Sequence, residues 1–159
     1  MEFTLKNNVN TLLLLRKKYL QMKKIISYPL SLITCFLFVF LICLFHPIQY
    51  ICFQLFGYNA HKRSVDVLNL LLLKILLTSV STAEVENNAD LPEGKPLIFV
   101  SNHQGLYDIV GICWYLRNYH PKFVSKIELG KGIPSISYNL NHGGSVLIDR
   151  KNPKQALPA

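Results

Sequence analysis

Acidic residues are scarce in this chain. Nine Asp and Glu stand against 17 Lys and Arg, a net charge of +8, and charged residues make up only 16% of the total. Soluble domains usually carry about 25%. The basic excess favours anionic partners: nucleic acid, acidic lipid or a phosphorylated substrate. Basic residues interleaved with aromatics on a soluble face are missing, which argues against nucleic acid. The cysteines are Cys35, Cys43, Cys52 and Cys113, with no C-x-x-C pair. Neither a disulfide framework nor a zinc site is therefore expected, and a reducing compartment follows. Internal repeats and low-complexity tracts are also lacking. The 159 residues allow one ordinary domain, or a membrane segment with a small domain.

The most extended absence is that of charge. No Asp, Glu, Lys or Arg occurs from Ile25 to His61, whereas Lys6, Arg16, Lys17, Lys18, Lys23 and Lys24 crowd the preceding segment. A basic cluster abutting an apolar tract predicts a membrane anchor with its positive side cytoplasmic. Ile25 to Phe45 supplies 21 uncharged residues, close to the ~20 that cross a bilayer core as a helix. A signal peptide is the rival, but its apolar core is usually ~7–15 residues and ends in a small-residue cleavage site. Pro47 and Gly57 then punctuate a shorter apolar piece. A spanning helix, an interfacial hairpin and a buried helix pair all stay open. His46 and His61 border the apolar region, where placement at the interface is expected. Met22 opens MKKIISYPL, which reads as a natural start, so residues 1–21 are expected to be an optional extension.

Residues 64–80, rich in Leu, predict a mostly buried helix. From Ala83 the character changes. AEVEN has a strand-like look, NADLPEGKP is a turn-rich loop, and PLIFVSN is a compact β-type run bounded by breakers. Asp108–Asn118 suits a helix, KFVSK a short strand, residues 128–144 a helix or loop broken by Gly and Pro, and SVLIDR a second short strand. Alternating strands and helices predict an α/β layer structure. The segments are thus a basic stretch at 1–24, membrane-associated helices at 25–80, and an α/β region at 83–159.

Within that region, His103 and Asp108 lie five apart, just after an apolar run. Strand ends in α/β folds open onto the crevice where ligands bind. Asp108 can fold back so that its carboxylate accepts from one imidazole nitrogen, leaving the other free as a general base. No protein nucleophile accompanies the pair, so a substrate hydroxyl must supply it. Gly105 permits close backbone approach. Asp108 can equally be the cap of the next helix and nothing more. A metal-dependent hydrolase is the weaker chemical rival, since no further ligand cluster is evident and no metal is expected.

Asn102-His103-Gln104-Gly105-Leu106-Tyr107-Asp108 after IFVS resembles the N-H-x4-D block of the 1-acyl-sn-glycerol-3-phosphate acyltransferases, within the glycerolipid acyltransferase superfamily. Gly144-Ser145-Val146-Leu147-Ile148-Asp149-Arg150 is similar to that family's second block, and PKFVSKIEL, with Lys126 and Glu128, to the stretch between them. The resemblance covers roughly residues 83–155. It implies a glycerolipid-acyltransferase-like layered sheet with helices, behind an N-terminal membrane-associated helical region. It also implies that His103 deprotonates the 2-hydroxyl of a lysophosphatidate while Asp108 orients it. The hydroxyl oxygen then attacks an acyl thioester of coenzyme A or acyl carrier protein, a co-substrate rather than a resident cofactor. Arg150 belongs to the block that holds glycerol phosphate, and Asn102 and Gly144 shape the site; Lys126, between the two blocks, is either a further substrate cation or a solvated strand end. The expected location is the cytoplasmic face of the inner or plasma membrane, or an equivalent membrane.

Two departures stand out. Gly105 replaces a small polar residue, and a third block of the Pro-Glu-Gly-Thr-Arg type does not occur in these 159 residues. The chain is therefore expected to hold the N-terminal portion of such a domain. Rival readings are another lysolipid or glycerol-phosphate acyltransferase, and a membrane-anchored stub without catalysis. His142 and His120 read as turn and loop residues, and Trp114 and Tyr115 as core.

Overall fold

The computed structural model describes residues 2–78, 84–86, 91–92 and 94–152. Helix α1, Glu2–Thr78, is interrupted at Gly57, whose φ of 76° and ψ of −169° are non-helical. That backbone region is open to glycine and closed to residues with a Cβ. Pro29 and Pro47 stay inside the helix. Of the two breakers expected from the sequence, only the glycine breaks. A proline removes one N–H and strains one carbonyl, a defect that a long helix packed on neighbours absorbs.

The two arms on either side of Gly57 fold against each other and against α2, Leu106–Tyr115. Phe45 of the first arm meets Leu68, Leu72 and Leu73 of the second, and Val110 of α2 completes the core. Phe38, Leu41, Leu76 and Trp114 pack around it. The other side of the first arm stays apolar and uncovered, with Leu32, Phe36, Phe40, Leu44 and Leu55 all exposed. Such a face suits lipid. The stretch Lys24–Leu77 is long and apolar enough to cross a membrane.

Strands β1, Val124–Lys126, and β2, Val146–Ile148, pair in parallel, with Lys126 opposite Ile148. Between them lie a short 3₁₀ turn, Ile127–Gly130, and helix α3, Ile136–His142. KFVSK and SVLIDR are thus strands, and the helix after the dyad begins at Leu106 and ends at Tyr115, followed by a 3₁₀ turn at Arg117–Tyr119. The result is a helix-rich structure with a small parallel sheet.

PLIFVSN does not become a strand. Residues 96–104 have no regular hydrogen-bonded structure, and Ile98 and Val100 are 93% and 92% exposed. Phe99, on the opposite side, meets the Tyr119 ring at 6.0 Å. Alternation and β-branching give a segment the shape of a strand, but a strand exists only where a neighbour accepts its ladder. Residues 84–86 of AEVEN also lack strand structure; Ala83, Asn87 and most of the following loop lie outside the described residues.

The first arm is also held to α3. The Ser135 amide donates to His46 Nδ1 at 3.0 Å, and the Ser135 hydroxyl donates to Gln49 Oε1 at 2.8 Å. Ser135 and Gln49 are 1% and 0% exposed. His61 is fully buried, edge-on to Phe53 and Tyr138. His61 is therefore enclosed by protein, whereas His46 stays exposed while accepting from Ser135. The polar groups inside the uncharged tract mark the side that α3 covers.

Candidate functional site

The chain enters α2 through an extended turn, and Asp108 sits in the helix's first turn. Its Oδ2 accepts the backbone N–H of Gln104 at 2.7 Å and that of Gly105 at 2.9 Å. Gly105 has no side chain to return the favour, so only the acid half of a capping box is present. These two amides hold the carboxyl below its usual range, the Gly105 bond most and the Gln104 bond next. The helix N-terminus favours the same charged form.

The same oxygen lies 3.3 Å from His103 Nδ1. Cap and dyad are therefore one arrangement, and the two readings left open by the spacing do not compete. The separation is long for a hydrogen bond, as is common in unliganded sites. The His103 side chain is 58% exposed. With Nδ1 turned to the carboxylate, Nε2 is left without a hydrogen bond among the described residues. The turn is seated from below: Tyr107 meets Phe38 of the first arm edge-on at 6.0 Å, and Val110 anchors the next turn in the core.

Lys126 closes β1 and Arg150 follows β2, so both cations leave the carboxyl ends of parallel strands, where ligands bind in α/β sheets. Asp149 braces the Arg150 turn. Its Oδ1 accepts from the Lys151 amide at 2.9 Å, and its carbonyl from Asn152 at 3.1 Å. Arg150, Lys126 and Asn102 are exposed. No hydrogen bond or ion pair joins them to the dyad among the described residues. Gly144 has a φ of 84°, and a Cβ there would sit 3.3 Å from Lys122 Cε.

That lysine escaped the sequence reading. Its ammonium donates to the Tyr58 hydroxyl and to the Gly143 carbonyl, and lies 3.2 Å from His120 Nε2. His120 is two residues away, but Tyr58 comes from the hairpin bend and Gly143 from the turn after α3, so no local pattern announces the meeting.

Residues 82–159 match the Acyltransferase family model. No curated protein and no solved structure matches the chain. The matched segment contains the His103–Asp108 turn, both strands and the Arg150 turn, and the match supports acyl transfer as its chemistry. Its one cysteine, Cys113, is a poor nucleophile: burial first, and the Asp66 charge second, push the thiol up to about 12. A thiol so raised stays protonated near neutrality.

Proposed function

We propose that the acyltransferase domain moves an acyl group from a thioester of coenzyme A or acyl carrier protein to the 2-hydroxyl of 1-acyl-glycerol 3-phosphate, giving phosphatidate. The observation that carries this reading is His103 Nε2, left without a hydrogen bond among the described residues, with its opposite nitrogen held by a carboxylate that two amides keep ionised.

In the reaction, His103 Nε2 removes the hydroxyl proton as the oxygen attacks the thioester carbonyl. The tetrahedral intermediate collapses with cleavage of the carbon–sulfur bond, and the imidazolium returns the proton to the leaving thiolate. Asp108 stabilises the imidazolium and fixes the ring. Arg150 grips the acceptor phosphate through a planar fork that lysine lacks, with Lys126 as a second cation. Asn102 and Gly144 shape the approach. The uncovered face of the first arm binds membrane lipid, with the basic segment on the cytoplasmic side.

The test is acyl transfer in membranes containing the full-length chain. His103→Ala should lower kcat by about 10³-fold while the protein stays membrane-bound; substantial residual turnover removes the base assignment. Arg150→Lys should raise the acceptor KM by about tenfold, and an unchanged KM removes the phosphate role. Glycerol 3-phosphate and other lysolipids, offered in parallel, identify the acceptor.

A further inference from the structure

The Lys122 ammonium has three N–H donors, and three acceptors converge on it: Tyr58 Oη, the Gly143 carbonyl and His120 Nε2. Among the described residues Lys122 forms no ion pair, so its charge is met by neutral dipoles alone. Tyr58 is bound twice more, its hydroxyl donating to the Gly143 carbonyl at 3.3 Å and lying 3.0 Å from His120 Nε2. Lys122 Nζ also sits 4.9 Å from the centre of the Tyr58 ring, within cation–π reach. Burial, then the charge of Lys122, drive the His120 imidazole down to about 4. It is neutral near pH 7, and a neutral imidazole has the lone pair that the ammonium needs.

The clasp has a direction. Tyr58 is the residue after the Gly57 bend, and Gly143 is the last residue before Gly144, where the chain turns toward β2. Beside it, the Phe123 amide donates to Ser145 Oγ at 3.2 Å and the Val146 amide to the Phe123 carbonyl at 2.8 Å. The start of β2 is thereby tied to the residue next to Lys122, and Arg150 lies just past the end of that strand. Gly144 completes the fit, because its missing Cβ leaves the lysine stem its path.

We propose that Lys122 is a positioning residue for the phosphorylated acceptor: by joining the hairpin bend to the Gly143–Gly144 turn, it sets where β2 delivers Arg150. This rests on the acyl-transfer reading above. Lys122 touches no reacting atom, so its loss should act on acceptor binding and spare the chemical step.

The full-length chain in membranes tests this with Lys122→Met, measuring kcat, the KM of each substrate and the thermal midpoint. The acceptor KM should rise about tenfold, with kcat and the thioester KM within about twofold of the parent. An unchanged acceptor KM overturns the proposal. So does a parallel rise of both KM values with a lowered midpoint, the signature of general loosening. If Lys122→Met does not accumulate, Tyr58→Phe decides: a rise of about threefold in acceptor KM supports the clasp, and none overturns it. Absence of acyl transfer by the parent defeats the acyl-transfer reading instead, whereas an active parent beside a Lys122→Met with a normal acceptor KM defeats only this one.

Discussion

The dyad turn and the Lys122 clasp are both polar constellations in contact with the helical hairpin, yet they are built in opposite ways. The dyad is local. One carboxylate oxygen gathers two amides and an imidazole from within five residues, so the turn closes on itself and needs the rest of the molecule only as a seat. The clasp is assembled from Tyr58, His120, Lys122 and Gly143, and has no meaning until the hairpin docks. A local arrangement survives changes in its surroundings; an assembled one reports on them.

The sharpest way to break that contrast is at Asp108. Asp108→Ala removes both the brace on His103 and the cap on α2, and should cut kcat by about 10²-fold. Circular dichroism should show the overall helix content retained, because Val110 and Trp114 still pack in the core. Global unfolding would mean that the turn is not self-contained. The depressed Asp108 pKa fixes the sign of its pH effect. Its contribution to stability is present above the unfolded carboxyl pKa and is lost only as pH falls through the lower folded value. Acid unfolding followed in the parent and in Asp108→Asn should therefore differ at acidic pH and converge below the folded pKa.

Gly57→Ala probes the other construction. No atom lies within 4 Å of the added methyl, so the cost is backbone strain alone, about 2 kcal/mol for a residue forced into that region. A lower thermal midpoint, with a raised acceptor KM and a largely unchanged kcat, would show the clasp following the bend. An unaltered midpoint would mean that the bend is not held in the left-handed region. A smaller effect is expected from Gln49→Leu. It leaves the buried Ser135 hydroxyl without its acceptor and should cost about 1 kcal/mol by chemical denaturation, with the dyad's kcat untouched.

The same division explains how much could be read beforehand. The dyad, α2 and both short strands were legible because spacing, breakers and β-rich runs are local properties. Gly57 and Pro47 looked equivalent as punctuation, and only φ separates a residue that permits a break from one that a packed helix absorbs. IFVS had every internal mark of a strand and lacked, among the described residues, the one external requirement, a neighbour with free amides and carbonyls. His61 looked interfacial because a sequence shows that a tract is apolar, not which side of it meets protein. The Lys122 clasp joins residues up to 85 apart, and no periodicity encodes such a meeting.

The contact between Phe38 and Tyr107 sets a length. Thirteen residues separate Ile25, where charge disappears, from Phe38, or about 20 Å of helix. The hydrocarbon of a bilayer is about 30 Å thick. If the first arm lies in lipid, sinking the whole of Ile25–Phe45 would draw the His103–Asp108 turn into the oil with it. Stopping at Tyr107 leaves the helix tip short of the far side. The arm is then a plumb line rather than a bridge, fixing the depth at which the chemistry happens. Under the proposed reading, acceptors that diffuse in the plane of one leaflet would meet His103 at a constant height, and a search in three dimensions would become a search in two.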